Sequence, residues 1–334
     1  MKAWVPGMLL AAAAACSAVA APRDLKTRAQ IDEEVARLWS ARAFDKLDAI
    51  EQEFRQGNPM SLSGYPLLDM FHQAVYAQTA AATGDQAAWD ALEAQARAWA
   101  KQAPKSPTAQ LAVAEVFISH AWKVRGNKPT PEVFPNQLKE FGELVDKARG
   151  HLMETRAVSA QDPCWYEWML RIALWKSQPE ADYKPLLDEA LAKFPDYLSS
   201  YLAAVDHYAP KWGGSPQAVE AFAQHATASL PPAKRDTLYA RLYNYAYQQH
   251  FTTRADSKVD CARWLHGNAD LTAAYPAAYN LNLAALSAAL CADRPAAKKY
   301  FDLIGNKPME ALWGGGQLGA AEFDRAREWA MQGR

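Results

Sequence analysis

The residues best suited to chemistry cluster in one short stretch, Pro210-Lys211-Trp212-Gly213-Gly214-Ser215. Paired glycines can bare their backbone N–H groups, and Ser215-Pro216 can open a helix whose N-terminus attracts an anion. Lys211 and Trp212 would add a charge and an aromatic face at the same lip. The plainer reading is a wide turn, with Trp212 packed on a neighbouring helix and Ser215 as N-cap. A second set comprises Trp122, Lys123 and Arg125, followed by Trp165, Tyr166 and Arg171. Aromatic rings beside guanidinium groups on successive helices can grip a peptide or a glycan. The same aromatics would serve equally as core, because their spacing is helical. The candidate ligand-binding residues are therefore Trp122, Arg125, Trp165, Tyr166, His207, Lys211 and Trp212.

Catalytic spacing is not evident. The seven histidines, among them His72, His120, His207 and His266, include no two that lie three or four residues apart. No metal-ligand set and no cofactor are expected from that pattern. Gly314-Gly315-Gly316 with Gly319 mimics a dinucleotide fingerprint but follows Trp313 with no strand before it, so the phosphate cradle has no scaffold. Glu33, Glu34, Glu51 and Glu53 read as solvated helix faces. The alternative to a binding protein is a hydrolase or transferase acting on cell-envelope material near Trp212-Gly213-Gly214, with Asp206, His207 and Lys211 as its groups.

Helices must position these residues. Ile31, Val35 and Leu38 form one apolar stripe, and Leu47, Ile50 and Phe54 form another. Thr27 with Gln30 can form a capping box, and Gln56-Gly57-Asn58-Pro59 is a helix stop. After a loop over Leu62 to Pro66, helices are predicted from Leu67 to Ala82, to about Gln102, from Ser106-Pro107 to Arg125, and from Pro135 to Thr155. Asp162-Pro163 starts an aromatic-rich helix, and Ser177 with Glu180 would cap the next. Gly126-Asn127-Lys128-Pro129 and Gly305-Asn306-Lys307-Pro308 repeat the same stop chemistry.

The second half also keeps a rhythm. Phe194-Pro195, Leu230-Pro231 and Tyr275-Pro276 each close a unit. Ala190 with Pro195, Tyr201 with Tyr208, and Ala218 with Phe222 resemble the small, large and closing positions of the tetratricopeptide repeat. The fold class expected is all-α, a right-handed tetratricopeptide-like solenoid of roughly six or seven stacked helical hairpins. A further likeness rests on Ala121-Trp122 with Arg125-Gly126, and on Asp162-Pro163 with Trp165-Tyr166 and Met169-Leu170. Phe194-Pro195 with Tyr197 and Tyr201, then Pro210 to Ser215, complete it. In these residues the chain resembles a bacterial family catalogued as domain of unknown function 4034. The resemblance implies an exported helical-repeat protein and carries no catalytic residue with it.

Residues 1–20 read as a signal peptide: Lys2 is the positive end, Ala3 to Ala15 the short apolar region, and Ala18-Val19-Ala20 the small-residue site before cleavage at Ala21. The competing route is lipidation of Cys16, although Leu is missing three residues before it. Residues 21–334 would form one helical-repeat domain in the periplasm or outside the cell, touching a membrane only if tethered through Cys16. An oxidising compartment suggests one bridge and one free thiol among Cys164, Cys261 and Cys291; if the helix holding Cys261 and the helix ending at Cys291 pack antiparallel, those two sulfurs meet and Cys164 stays free, with three reduced thiols as the alternative. A net charge of -1, with no Lys/Arg run longer than two, excludes an electrostatic nucleic-acid binder. The function expected is binding or scaffolding, with a concave groove offered to a protein, a peptide or an envelope polymer.

Overall fold

The computed structural model describes residues 28–81, 85–306, 308–314 and 316–332. The signal segment 1–20, Cys16, Thr27 and Lys307 lie outside the described residues. The rest is helical: α1 (Arg28–Ser40), α2 (Phe44–Gly57), α3 (Leu67–Thr79), α4 (Gln86–Gln102), α5 (Pro107–Arg125) and α6 (Pro135–Glu154) come first. A single turn, α7 (Arg156–Ser159), precedes α8 (Pro163–Trp175), α9 (Glu180–Lys193), α10 (Leu198–Tyr208) and α11 (Pro216–Ala228). Then come α12 (Pro232–Gln249), α13 (Cys261–Ala274), α14 (Ala278–Leu290), α15 (Arg294–Ile304) and α16 (Gly316–Met331). Among the described residues the β structure amounts to one isolated bridge, Met60 to Pro66. No described helix is long and apolar enough to cross a membrane.

Local chemistry explains most boundaries. Ser106 Oγ accepts from the Ala109 N–H, Ser215 Oγ from Ala218, and Asp162, Asp260 and Asp293 cap α8, α13 and α15 in the same way. Proline stands in the first turn of α5, α8 and α11, where its missing N–H costs nothing. Gly126 and Gly305 end α5 and α15 at positive φ, as the stop reading of both Gly-Asn-Lys-Pro stretches requires. One cap differs from expectation. Ser177 does not start α9; it terminates α8 at φ 50°, with Gln178 N–H donating to Ala173 O and Ser177 N–H to Leu174 O. That paired closure satisfies the last carbonyls of α8 and leaves Pro179 to open α9.

Packing follows the repeat logic. Neighbouring helices pair as hairpins, seen most fully in α5 with α6, α12 with α13, and α14 with α15. Alternate helices then stack as an inner layer: α1 on α3, α3 on α5, α8 on α10, and α10 on α12. Among the described residues α4 packs on α5 rather than on α3, and α16 covers the last pair, α14 with α15. One continuous core runs from Ile31 to Leu271, and a second, around Phe301, Trp313 and Phe323, serves the C-terminal helices. Cys261 and Cys291 are bridged, with Cα atoms 5.8 Å apart, joining the start of α13 to the end of α14. Cys164 is free and buried.

The inner layer bends back on itself. The loop 60–66, expected as a plain connection, reaches α12 and α14 more than 170 positions later. Arg241 donates to Gly64 O at 2.6 Å, Asn280 donates to Ser63 O at 3.1 Å, and the Tyr65 ring sits 5.9 Å from that of Tyr279. Ser199 N–H at the start of α10 also donates to Asp69 Oδ1 on α3 at 2.9 Å. These contacts tie α3 and the loop before it to α10, α12 and α14.

Candidate functional site

Five inner helices, α3, α5, α8, α10 and α12, surround a cavity of about 510 Å³. A second recess of about 720 Å³ lies beside it, and the two share Trp122, Leu174, Trp175, Lys211 and Trp212. Volumes of this size suit a small ligand or the end of a chain molecule. Aromatic rings form a ladder from the inner cavity to the shared wall. Tyr76 meets Trp168 at 4.9 Å, Trp168 meets Trp175 at 6.5 Å, and Trp175 meets Trp122 at 5.3 Å. Arg125 covers the outer end, its guanidinium carbon 5.2 Å from the Trp122 ring. The same guanidinium stitches the following turn through Gly126 O, Lys128 O and Thr130 Oγ1.

The turn after α10 forms the opposite lip. Pro210–Trp212 is a short 3-10 segment, and Lys211 lies over the Trp212 ring at 5.9 Å. Gly213 takes φ 93°, and at Gly214 a Cβ would stand 2.0 Å from Tyr208 O. Both glycines are thus required to fold the turn back onto the end of α10. Ser215 is the N-cap of α11. The two stretches singled out in the sequence, around residues 122–125 and 210–215, face one shared recess.

Charge in the inner cavity is organised around Arg171 and Asp206. Arg171 bonds Glu167 at 3.0 Å and Asp206 at 2.9 Å. Asp206 also accepts from Tyr245 and from His250, both at 2.8–3.0 Å. Burial alone would raise the Asp206 carboxyl, but the His250 hydrogen bond and the Arg171 charge outweigh it and hold it below the usual carboxylate range. Tyr197 O–H donates to the other Glu167 oxygen at 3.0 Å.

Deeper still is a set of polar groups that spacing did not reveal. His72 on α3 pairs with Asp162 at 2.9 Å, and both are buried. Since an ionised carboxylate has no proton, His72 Nε2–H is the donor. Burial would lower the His72 pKa, but Asp162 beside it pushes it up to about 9. Glu51, expected on a solvated face, is 3% exposed and hydrogen-bonds Asp162; burial and that neighbouring acid raise it to about 8. Burial likewise raises Asp69 and Glu115 to about 7. Burial and the nearby carboxylates push the Cys164 thiol well up, so it is not a standing thiolate nucleophile. Glu115 Oε1 accepts from Trp168 Nε1 at 3.0 Å, and His72, Glu115 and Cys164 all line the inner cavity.

No family model, no curated protein and no solved structure matches the chain. The site is read from its own chemistry. Trp122, Lys211 and Trp212 border both recesses, and Arg125 and His207 border the outer one. Trp165 and Tyr166 do not. Each is about 1% exposed; the Trp165 indole donates to Leu152 O, and Tyr166 is held by Glu189 and Lys193. Their helix turns that face into the core while Trp168, Arg171 and Trp175 look inward. His207 and Asp206 also part company. Consecutive helix residues diverge by about 100°, so Asp206 faces the inner cavity while His207 stacks on Tyr183 at 3.6 Å and bonds Glu180. The groups named for a hydrolase or transferase are therefore not gathered around one cavity.

Proposed function

We propose that the protein is a binding module whose inner helices hold the end of a peptide or glycan chain. The outer recess would take the extended part and the inner cavity the terminal group. The observation that carries this reading is the shared wall, where the Trp122–Trp175 ladder and the Lys211-Trp212 lip border both recesses. Aromatic faces beside fixed charges hold sugar rings and peptide planes alike. The Cys261–Cys291 bridge supports an oxidising compartment. With the leader read at residues 1–20, the reading is of an exported protein, periplasmic, secreted or tethered through Cys16, and akin to the exported family it resembles.

The test is a tryptophan-fluorescence titration with soluble cell-wall fragments and with a defined peptide mixture. Wild type should respond saturably to one of them, and Trp212→Ala and Lys211→Ala should each weaken that response at least ten-fold, about 1.4 kcal/mol. Equal affinity in all three proteins would remove the shared wall from the argument.

A further inference from the structure

At the floor of the inner cavity, donor atoms from three helices converge. His72 from α3, Glu115 from α5, and Asp162 and Cys164 at the start of α8 are each at most 3% exposed. Ligand-type atoms of His72, Asp162 and Cys164 lie within 4.8 Å of one another. Glu115 stands just outside that set, its Oε1 4.0 Å from Cys164 Sγ and held by the Trp168 indole. Two atoms of this group have no hydrogen-bond partner, His72 Nδ1 and Glu115 Oε2. A buried polar atom left unpaired costs about 1–3 kcal/mol, so its persistence calls for an explanation. At these two atoms the network does not close on itself.

We propose that His72, Asp162, Cys164 and Glu115 bind one divalent transition-metal ion of zinc's class. One sulfur, one imidazole nitrogen and carboxylate oxygens form a borderline-soft set that suits zinc and disfavours magnesium or calcium. Metal–ligand bonds of about 2.0–2.3 Å place tetrahedral ligand atoms about 3.3–3.8 Å apart. The His72–Asp162 pair, at 2.9 Å, would open slightly, while the widest separation in the three-residue set, up to 4.8 Å, would contract by about 1 Å. That motion is within reach of side-chain rotation. His72, Glu115 and Cys164 line the inner cavity, which supplies the entry path. Without metal, the Cys164 thiol and the His72 ring hold protons that a metal ion would displace. Binding therefore releases protons. This site lies at the floor of the cavity that would take the ligand's terminal group, and its test reads the metal alone.

The chain, stripped with EDTA, is titrated with Co²⁺ and then competed with Zn²⁺. One cobalt per chain should bind, with the near-ultraviolet absorption of a cobalt–thiolate bond, release of protons, and displacement by equimolar zinc. Cys164→Ser should abolish that absorption and weaken cobalt binding at least ten-fold. Glu115→Gln should keep the absorption and also bind at least ten-fold more weakly. Helix content by circular dichroism is read for each variant, and if Cys164→Ser has lost it, Glu115→Gln decides. Absence of the absorption in wild type overturns the site. So does unchanged absorption in a folded Cys164→Ser chain, or unchanged affinity in Glu115→Gln.

Discussion

Asp206 sits among more charge partners than any acid the sequence patterns drew attention to. Its carboxylate joins Arg171 on α8, Tyr245 on α12 and His250 just beyond it, so one side chain ties three inner helices together. Asp206→Asn keeps the shape and removes the charge. It should cost about 2–4 kcal/mol at neutral pH, because Arg171 keeps Glu167 but loses half its compensation. The pH dependence has a definite sign. A carboxyl whose folded pKa lies below its unfolded value of 3.8 stabilises fully above that value and loses the benefit as pH falls through the lower one. Urea midpoints for the Asn variant should therefore fall less steeply than wild type between about pH 4 and pH 2; parallel acid limbs would count against the assignment. Glu115 is a residue the sequence reading passed over. An acid inside the apolar run Leu111 to Ile118 is a signal by itself. His72 and Asp162 gave no comparable signal, because their pairing spans 90 positions and depends on which helices meet.

Helices and their ends were legible because proline, glycine and the small polar caps act within a few residues. The closure at Ser177 is local but was missed because it uses a non-glycine residue at positive φ; the inward turn of Glu51 and the orientation of Trp165 and Tyr166 depended on partners elsewhere. Close helix crossings belong to the same class. At Gly267 a Cβ would stand 1.9 Å from Asp236 O, so α13 lies directly against the backbone of α12. Gly267→Ala must force the pair apart and should cost about 2 kcal/mol or more. Gly150, inside α6, has nothing within 4 Å of such a Cβ. There the same substitution should add about 0.5–1 kcal/mol through helix propensity. Opposite shifts in thermal midpoint would verify both environments. The bridge across α13 and α14 closes a loop of 30 residues, and Cys261→Ser with Cys291→Ser should cost about 3–4 kcal/mol on the chain-entropy account. Hydrogen exchange should report the loss chiefly in those two helices, and uniform loss across the chain would argue against a local staple.

An open array of hairpins is stabilised by nearest neighbours, so it can unfold from either end in steps. Here the loop 60–66 changes that expectation by joining the chain between α2 and α3 to α12 and α14. Arg241 is the centre of the clasp: it donates to Gly64 O and its guanidinium carbon lies 4.7 Å over the Tyr65 ring. A charge-assisted hydrogen bond contributes about 1.5–3 kcal/mol, and a partly desolvated cation–π contact about 0.5–2 kcal/mol. Removing both with Arg241→Ala should lower stability by about 2–4 kcal/mol. The more telling effect concerns cooperativity. In wild type, urea transitions followed by tryptophan fluorescence and by far-ultraviolet circular dichroism should coincide, because the clasp makes loss of one end the loss of both. In Arg241→Ala the two should separate, with the C-terminal helices around Phe301 and Trp313, which have their own small core, melting first. The cavity should feel the same change. Its walls α3 and α12 are held in register by this loop, so any ligand of the inner cavity should leave faster from the variant even though Arg241 does not line it. Coincident transitions in Arg241→Ala would mean that neighbour-to-neighbour packing alone supplies the cooperativity and that the clasp is incidental.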